Sequence, residues 1–485
     1  MIEQIIAYSS FFLYTGSLFF ITYYCVNQIY LLTCYFKTKK APPEDSEYFP
    51  EVTIQLPVYN EGELVFDLID CVTDIDYPKE KLQIQVLDDS TDSTLEYSRQ
   101  KVEEYKQKGF NIELRNRTDR SGFKAGALSE GLEWSTGEFI AIFDTDFRPN
   151  TDFLKALLPE FLNEKVGVVQ AKWGHINRDH SLLTKLQAFQ LDVHFTVEQK
   201  GRQLGNLLLQ FNGTCGIWRR KVIDDAGGWD GDTLTEDLDL SYRAQMKGWN
   251  IVYREDYEVP GLLPYNMRSL KSQQFRWMKG GAENAIKHFK NVTQSDLTFK
   301  QKYFALHHLL ASYVFLAILT AAVCSLPFSI YYNDIMIPAV IKDTFLMIFL
   351  IPIFVTIAIY FIAHHKQVKF HSFVIRFIQF LSLSMGMSLH NSKGVWEAII
   401  RKRTEFVRTP KENKTYEKVE SSIVLKHLKK HPSILAEAFL GLYFLAALCF
   451  SVFNQQIFMS LYYTLLSFGF TSIFFYSVLQ FKKVD

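Results

Sequence analysis

The sequence predicts an α/β domain with a largely parallel sheet, placed between membrane-crossing helices. Short β-rich runs alternate with polar, helix-like stretches from about residue 50 to 300. An uncharged apolar segment precedes this region, and long apolar runs return after it. The 485-residue chain is 48% hydrophobic and 21% charged, which averages two environments and excludes a uniformly soluble, disordered or disulfide-stapled protein. With 52 basic and 52 acidic residues, no net field favours a nucleic-acid partner.

The N-terminal segment predicts a membrane helix within a domain covering residues 1–40. Residues 5–36 contain no charge, whereas roughly 20 apolar residues suffice to cross a bilayer. The length of this segment and the lack of a basic leader favour a retained helix over a cleaved signal peptide. Lys37, Lys39 and Lys40 follow it, so the positive-inside rule places the N-terminus outside and residues 41–300 in the cytoplasm. The expected location is therefore the inner or plasma membrane of the cell.

Apolar runs return at 309–330, 344–363, 373–389, 434–453 and 457–480. The segment 392–432 is rich in Lys and Arg and is therefore expected in the cytoplasm. If 309–330 and 344–363 cross the membrane outward and back, the chain is again in the cytoplasm at residue 364. A further span at 373–389 would then place this basic segment outside the cell. We therefore expect residues 373–391 to form an interfacial helix within a membrane region at 301–485, giving five spans, with six as the alternative.

Two acidic groups follow predicted strands of the soluble region. In parallel sheets, the loops after the strands meet ligands. Asp88 and Asp89 end the run LQIQVLDD, where a helix cap would explain one aspartate but not both. Asp144 and Asp146 follow FIAIF. Alternate residues of an extended segment face the same way, so both carboxylates can approach one hard divalent cation, although an isolated DxD is common by chance.

Three further groups bear on the chemistry. Thr235, Glu236 and Asp237 open a predicted helix whose capping geometry would orient the carboxylates, one of which could act as a base; a solvated acidic capping box is the alternative. In FNGTCG, glycines permit close backbone approach to a substrate. Gln273, Arg276 and Trp277 share about one helical turn and suit a phosphate and a sugar ring, whereas a basic helix resting on the membrane is the alternative.

In this order the motifs resemble the membrane-embedded, inverting glycosyltransferases of family 2, which include cellulose, hyaluronan, mannan and glucomannan synthases. The matching motifs are PVYNE at 57–61, DD at 88–89, KAGAL at 124–128, DTD at 144–146, FNGT at 211–214, TED at 235–237 and QxxRW at 273–277. FNGT is most similar to the mannan and glucomannan synthase group. The resemblance implies a GT-A type, Rossmann-like catalytic domain.

The resemblance also implies roles for individual residues. Tyr59, Glu61 and Asp88 or Asp89 would hold the nucleoside, Lys124 the diphosphate, and Asp144 and Asp146 a Mg²⁺ or Mn²⁺ ion. Asp237 would be the general base, and Arg276 would neutralise the departing nucleoside diphosphate. The acceptor site would comprise Phe211, Asn212, Gly213, Thr214, Gln273 and Trp277. Phe406, Thr409 and Lys411 resemble the gating loop of cellulose synthases, although Arg408 replaces the Val of that pattern.

The implied activity is transfer of a hexose from a nucleotide sugar of the UDP-Glc or GDP-Man type to an acceptor hydroxyl, forming a β-linkage. The acceptor is expected to be a growing polysaccharide exported between the helices, with a lipid headgroup, as in a glycolipid synthase, as the alternative. A transporter or channel is the non-enzyme alternative, suggested by the helices alone. Membrane lipids are expected partners, and self-association is compatible with the sequence.

Overall fold

The computed structural model describes residues 1–38, 48–348, 350–404 and 432–479. The three predicted gating-loop residues, Phe406, Thr409 and Lys411, lie outside these described residues.

A single mixed sheet forms the centre of the soluble domain. Its strands, within the described ranges, are β1 (Val52–Val58), β2 (Leu82–Asp88), β3 (Ile112–Asn116), β4 (Phe139–Ile142), β5 (Val166–His175), β6 (Gly216–Arg219) and β7 (Asn250–Gly261). They lie in the order β3-β2-β1-β4-β6-β5-β7. Strand β6 runs antiparallel to β4 and β5, and every other neighbouring pair is parallel. The predicted, largely parallel sheet is therefore confirmed.

Both faces of the sheet are covered, and the central strand β4, FIAI, is accordingly apolar throughout. Strand β4 shows the alternation expected of a pleated strand. Phe139 and Ala141 enter the core on one face, together with Phe153. Ile140 and Ile142 enter the core on the other face. The charged residues after β4 consequently begin where the apolar core ends.

Helices cover the sheet and carry several of the motifs. In the soluble domain they are α2 (Leu64–Thr73), α3 (Thr94–Gln107), α4 (Phe123–Glu133), α5 (Phe153–Leu157), α6 (Leu182–Val193), α7 (Gln199–Leu204), α8 (Arg220–Asp225), α9 (Glu236–Met246) and α10 (Met267–Gln294). A π-helical turn, His194–Glu198, joins α6 to α7.

The remaining helices flank this domain in sequence. They are α1 (Ile2–Tyr35), α11 (Phe299–Leu309), α12 (Tyr313–Ile330), α13 (Ala339–Ile348), α14 (Leu350–His364), α15 (Phe370–Ile399), α16 (Pro432–Phe453) and α17 (Ile457–Leu479). Helix α1 packs against α12, α16 against α17, and α15 against α10.

Five segments of the described chain are helical, long and apolar enough to cross a membrane: Ile2–Tyr35, Phe299–Ile330, Phe370–Ile399, Pro432–Phe453 and Ile457–Val478. The protein is therefore a membrane protein by length and composition of its helices. This set includes α15 in place of the predicted span at 344–363, because α14 is shorter and α15 is longer than expected. Residues 392–399, predicted to begin the basic loop, are the last two turns of α15.

Candidate active site

The motif residues converge on one cavity of about 590 Å³. Its wall includes residues from every motif in the described chain and also from helices α1, α12 and α14. The predicted site residues that line it are Tyr59, Glu61, Asp89, Lys124, Asp144, Asp146, Asn212, Asp237, Gln273, Arg276 and Trp277. Residues from sequence segments more than 200 positions apart thus share one concave space, as is typical of an active site.

The PVYNE segment forms one end of the cavity. The Asn60 N–H donates to Ser90 Oγ at 2.8 Å, and Asn60 Oδ1 accepts from the Thr91 N–H at 2.8 Å, which ties this segment to the loop after β2. The Arg120 guanidinium carbon lies 3.2 Å from the centroid of the Tyr59 ring. Arg120 also lines the cavity and was missed by sequence reasoning, although it stands only four residues before Lys124.

The two aspartates after β2 differ in environment. Asp88 is fully buried, and its carboxylate accepts from the Ser90 N–H at 2.7 Å and the Ser98 hydroxyl at 2.5 Å. Asp89 faces the cavity and forms a two-point ion pair with Arg117. Asp88 therefore supports the loop, much as the capping alternative suggested, and of the two only Asp89 stands where a ligand could reach it.

Lys124 connects three motifs. Its ammonium donates to the Asp144 carboxylate and to the Gly213 carbonyl, the latter at 2.9 Å. Burial lowers the pKa of Lys124, but the nearby Asp144 and Glu236 carboxylates raise it further, so this pKa lies above its ordinary value. The Asp144 N–H donates to Thr214 Oγ1 at 2.8 Å. The fixed cation thus lies between the DTD loop and the FNGT segment.

The FNGT segment divides into one cavity-lining residue and three supporting residues. Asn212 lines the cavity. Phe211 is fully buried against Trp218, and its N–H donates to Ser241 Oγ at 2.9 Å. Gly213 and Thr214 act through Lys124 and Asp144 as described above, and neither lines the cavity. The acceptor-lining role predicted for all four residues is therefore supported by the structure only for Asn212.

Gly213 lies against the candidate base. It has a φ of +80°, and a Cβ at this position would lie 3.0 Å from Asp237 Oδ2. Only glycine combines this left-handed backbone with such a close approach to a carboxylate. The FNGT glycine was predicted to permit close approach of a substrate to the backbone. In the structure, the group that approaches it closely is the Asp237 carboxylate.

Asp237 stands in the first turn of α9, as predicted. Thr235 makes no side-chain capping bond, and its Oγ1 instead accepts from Asn284 Nδ2 at 2.9 Å, so the Asp237 carboxylate is oriented by a backbone amide at the start of the helix rather than by a capping box. Asp237 Oδ1 accepts from the Leu238 N–H at 2.8 Å. Burial, followed by the neighbouring Glu236 charge, raises the pKa of the Asp237 carboxyl to about 8. The group is thus a half-buried carboxyl on the cavity wall rather than part of a solvated cap.

The QxxRW residues occupy one face of α10, which confirms their predicted spacing. Gln273, Arg276 and Trp277 all line the cavity. Burial lowers the pKa of Arg276 although the Asp144, Glu236, Glu61 and Asp146 carboxylates act to raise it, which places this guanidinium among the acidic groups of the donor motifs. The alternative of a helix merely resting on the membrane does not account for this inward position.

Several lining residues carry no family motif. His175 and Trp173 come from β5, His194 and Glu198 from the π-helical turn, and Tyr24 from α1. The Trp173 ring lies 5.0 Å from both the Phe147 and the Phe195 rings, measured between centroids. A histidine and a glutamate four positions apart were visible in HFTVE, but nothing in the sequence placed them opposite FNGT.

Comparison with known proteins identifies the domain that contains this site. Residues 50–280 match the family model described as glycosyltransferase like family 2. The chain therefore carries a family 2 glycosyltransferase domain, and its mixed sheet with flanking helices is the GT-A type fold predicted from the motifs.

Two curated relatives are similar to this chain over about half of its length. Glucomannan 4-beta-mannosyltransferase 1 from Cyamopsis tetragonoloba is 41% identical over 263 residues, covering 53% of this chain and 49% of that protein. Glucomannan 4-beta-mannosyltransferase 2 from Arabidopsis thaliana is 42% identical over 242 residues, covering 49% of this chain and 45% of that protein. The chain spans about half the length of the curated relatives it matches.

Among solved structures, a mannosyltransferase from Pyrobaculum calidifontis in complex with GDP-Man and Mn²⁺ is 21% identical, with a TM-score of 0.48 over 74% of this chain and 97% of that chain.

Proposed function

We propose that this protein is a membrane-bound, inverting β-glycosyltransferase that moves a hexose from a nucleotide sugar to a glycan hydroxyl. One observation carries the proposal: a single cavity brings together the Asp144 and Asp146 pair, the half-buried Asp237 carboxyl and the Trp277 indole. A divalent-cation site, a base and a flat apolar surface are the parts that transfer to a sugar acceptor needs.

The donor half of the site has groups for each part of a nucleotide sugar. Tyr59, Glu61 and Asp89 line the end of the cavity where the nucleoside would bind. Lys124 and Arg276 supply two cations for a diphosphate, and both lie close to Asp144. Asp88 supports this end through Ser90 and Ser98 rather than by contact with the nucleoside.

Asp144 and Asp146 would hold a Mg²⁺ or Mn²⁺ ion. The donor set fits, because both are carboxylates that line the cavity and hard divalent cations prefer oxygen ligands. In the described ranges no cluster of three or more His, Cys, Asp or Glu residues stands ready to hold a metal, so water and diphosphate oxygens would complete the coordination. When bound, the cation would neutralise negative charge on the departing diphosphate.

Asp237 is the general base of the proposed reaction. Its carboxylate takes the proton of the acceptor hydroxyl while the hydroxyl oxygen attacks the anomeric carbon from the face opposite the nucleotide, which converts an α-linked donor into a β-glycoside. Lys124 and Arg276 neutralise the leaving diphosphate, so no second carboxylic acid is required. The raised pKa of Asp237 suits a group that must accept a proton near neutral pH.

The acceptor half favours a growing polysaccharide. The cavity continues past Trp277 to residues of the membrane region, namely Tyr24, Cys25, Gln28, Ser312, Phe315, Thr356 and Tyr360. A sugar chain lengthened at Asp237 would therefore enter a space bounded by α1, α12 and α14. The names of the relatives, which are glucomannan 4-beta-mannosyltransferases, favour a glucomannan as the product and a mannosyl donor, and so the GDP-Man type over UDP-Glc.

The proposal also includes an orientation. The N-terminus lies outside the inner or plasma membrane, residues 48–300 lie in the cytoplasm where nucleotide sugars are made, and membrane lipids surround the helices. By the parity of the basic segments, α13 and α14 together cross the membrane and α15 lies at its inner surface. The packing of α15 on the motif-bearing helix α10 supports this placement.

The test is incubation of the purified protein in nanodiscs with radiolabelled GDP-mannose or UDP-glucose and Mg²⁺ or Mn²⁺. Label in an ethanol-insoluble product that a β-mannanase or cellulase digests is the expected result. Label confined to the organic phase would indicate a lipid acceptor instead, and absence of transfer with every donor would contradict the proposed activity.

A further inference from the structure

The π-helical turn between α6 and α7 places an imidazole and a carboxylate on the cavity wall. His194 and Glu198 both line the cavity, and His194 Nδ1 lies 3.0 Å from Glu198 Oε2. The Gln199 N–H closes the π turn on the His194 carbonyl, and the Tyr253 hydroxyl donates to the Phe195 carbonyl. Such turns are rare and are found most often at functional sites.

Glu198 holds a proton on the Nδ1 nitrogen of His194. Burial raises the pKa of Glu198, but the His194 hydrogen bond and the charges of His194 and Arg202 outweigh burial and bring this pKa well below its ordinary value. Arg202, almost fully buried, donates to Glu198 Oε1 from Nε at 3.3 Å. An ionised carboxylate only accepts hydrogen bonds, so Nδ1 of His194 must be the donor.

The other nitrogen of the ring faces the acceptor motif. His194 Nε2 lies 3.1 Å from Asn212 Oδ1. This amide oxygen is also an acceptor, so the contact is a hydrogen bond only when Nε2 carries a proton as well and both ring nitrogens donate. With Oδ1 held there, the Asn212 amide nitrogen keeps only a long 3.5 Å contact to the Gln210 carbonyl and can donate to a hydroxyl in the cavity. Loss of the imidazole would free the amide to turn over and present its carbonyl oxygen instead.

Asn212 is also next to the proposed base. Gly213 follows it in the chain, and a Cβ at Gly213 would lie 3.0 Å from Asp237 Oδ2. A sugar whose hydroxyl reaches Asp237 is therefore within the neighbourhood of the Asn212 amide. We propose that His194, held by Glu198, is a positioning residue that turns the Asn212 amide toward the acceptor sugar and so helps to select the acceptor. This inference rests on the proposed glycosyltransferase function.

The experiment compares acceptor and donor constants in the full-length protein in nanodiscs. The probes are β-1,4-linked hexasaccharides of mannose and of glucose, with GDP-mannose or UDP-glucose as donor. His194→Ala is expected to raise the acceptor KM by about tenfold and to leave donor affinity within about twofold, because one hydrogen bond on the acceptor side is lost. His194→Gln, whose amide can still donate to Asn212, should restore part of the loss. His365→Ala, which removes an exposed imidazole from the turn after α14, is the matched control.

A double-mutant cycle separates positioning from a general structural effect. In an Asn212→Ala background, His194→Ala should add little further rise in acceptor KM, because its effect passes through the Asn212 amide. An equally large rise in that background, or an equal loss of donor and acceptor affinity, would overturn the inference. If the unmodified protein elongates neither hexasaccharide with either donor, the proposed function fails for glycan acceptors, and the inference fails with it before any variant is compared.

Discussion

The donor and acceptor halves of the cavity are built in different ways. On the donor side, Tyr59, Asp89 and Asp144 stand in loops directly after neighbouring parallel strands, so the sheet fixes their positions. On the acceptor side, the lining residues come from helices that are distant in sequence, such as Trp277 on α10 and Tyr24 on α1. The donor side is rich in charge, whereas the acceptor side is mainly aromatic and amide-bearing. Changes on the two sides should therefore have separable kinetic effects.

The largest effect is expected from Asp237→Asn, which lies where the two halves meet. An amide cannot take the acceptor proton, so transfer should fall by about a thousandfold, while nucleotide binding stays nearly intact. Single-turnover transfer and calorimetric nucleotide titration measure the two quantities. Asp224→Asn is the matched control, because this carboxylate is exposed on α8 and does not line the cavity. Loss of nucleotide binding in Asp237→Asn would contradict the assigned role.

Asp146→Ala should affect the donor half alone. Removal of one of two proposed cation ligands is expected to weaken metal-dependent nucleotide binding by about a hundredfold. Titration of nucleotide at several Mn²⁺ concentrations measures this change. Binding that remains as strong and as metal-dependent as in the unmodified protein would remove Asp146 from the proposed site.

The pH profile examines the base directly. The pKa of the Asp237 carboxyl is raised to about 8, so the fraction in the proton-accepting form increases as pH rises toward that value. The kcat/KM for the donor should therefore climb by about tenfold per pH unit below pH 8 and level off above it. A profile that is flat between about pH 6 and 8 would show that this ionisation does not limit transfer.

Trp277→Ala should produce a smaller change, on the acceptor half. Loss of the indole surface is expected to raise the acceptor KM by about tenfold with little change in donor affinity. Trp277→Phe should retain part of the effect because a flat ring remains. Trp249→Ala is a useful control, since that indole does not line the cavity. A change confined to donor affinity would reverse the division of the cavity drawn above.

The sequence predicted the donor half well because its geometry is local. Strand β2 covers the run LQIQVLD that was predicted to precede the first acidic group, and the DTD pair follows β4 as expected. The local sequence pattern was less informative about whether a given side chain points into the core or into the cavity. Asp88 and Asp89 are adjacent, yet only the fold shows that Asp88 bonds to the buried Ser98 hydroxyl whereas Asp89 lines the cavity. Phe211 and Asn212 are separated in the same way, by the buried contact of Phe211 with Trp218.

By itself, the sequence determined the α/β class, the membrane helices and the order of the family 2 motifs, because hydrophobic periodicity and short motifs are written in neighbouring residues. Only the tertiary structure decided that Gly213 lies against Asp237, that Arg120 covers Tyr59, and that His194 faces Asn212. These contacts join segments between 18 and 61 residues apart, and their distances depend on how strands and helices pack. Packing of this kind follows from the whole core and is not encoded in any one stretch of the chain.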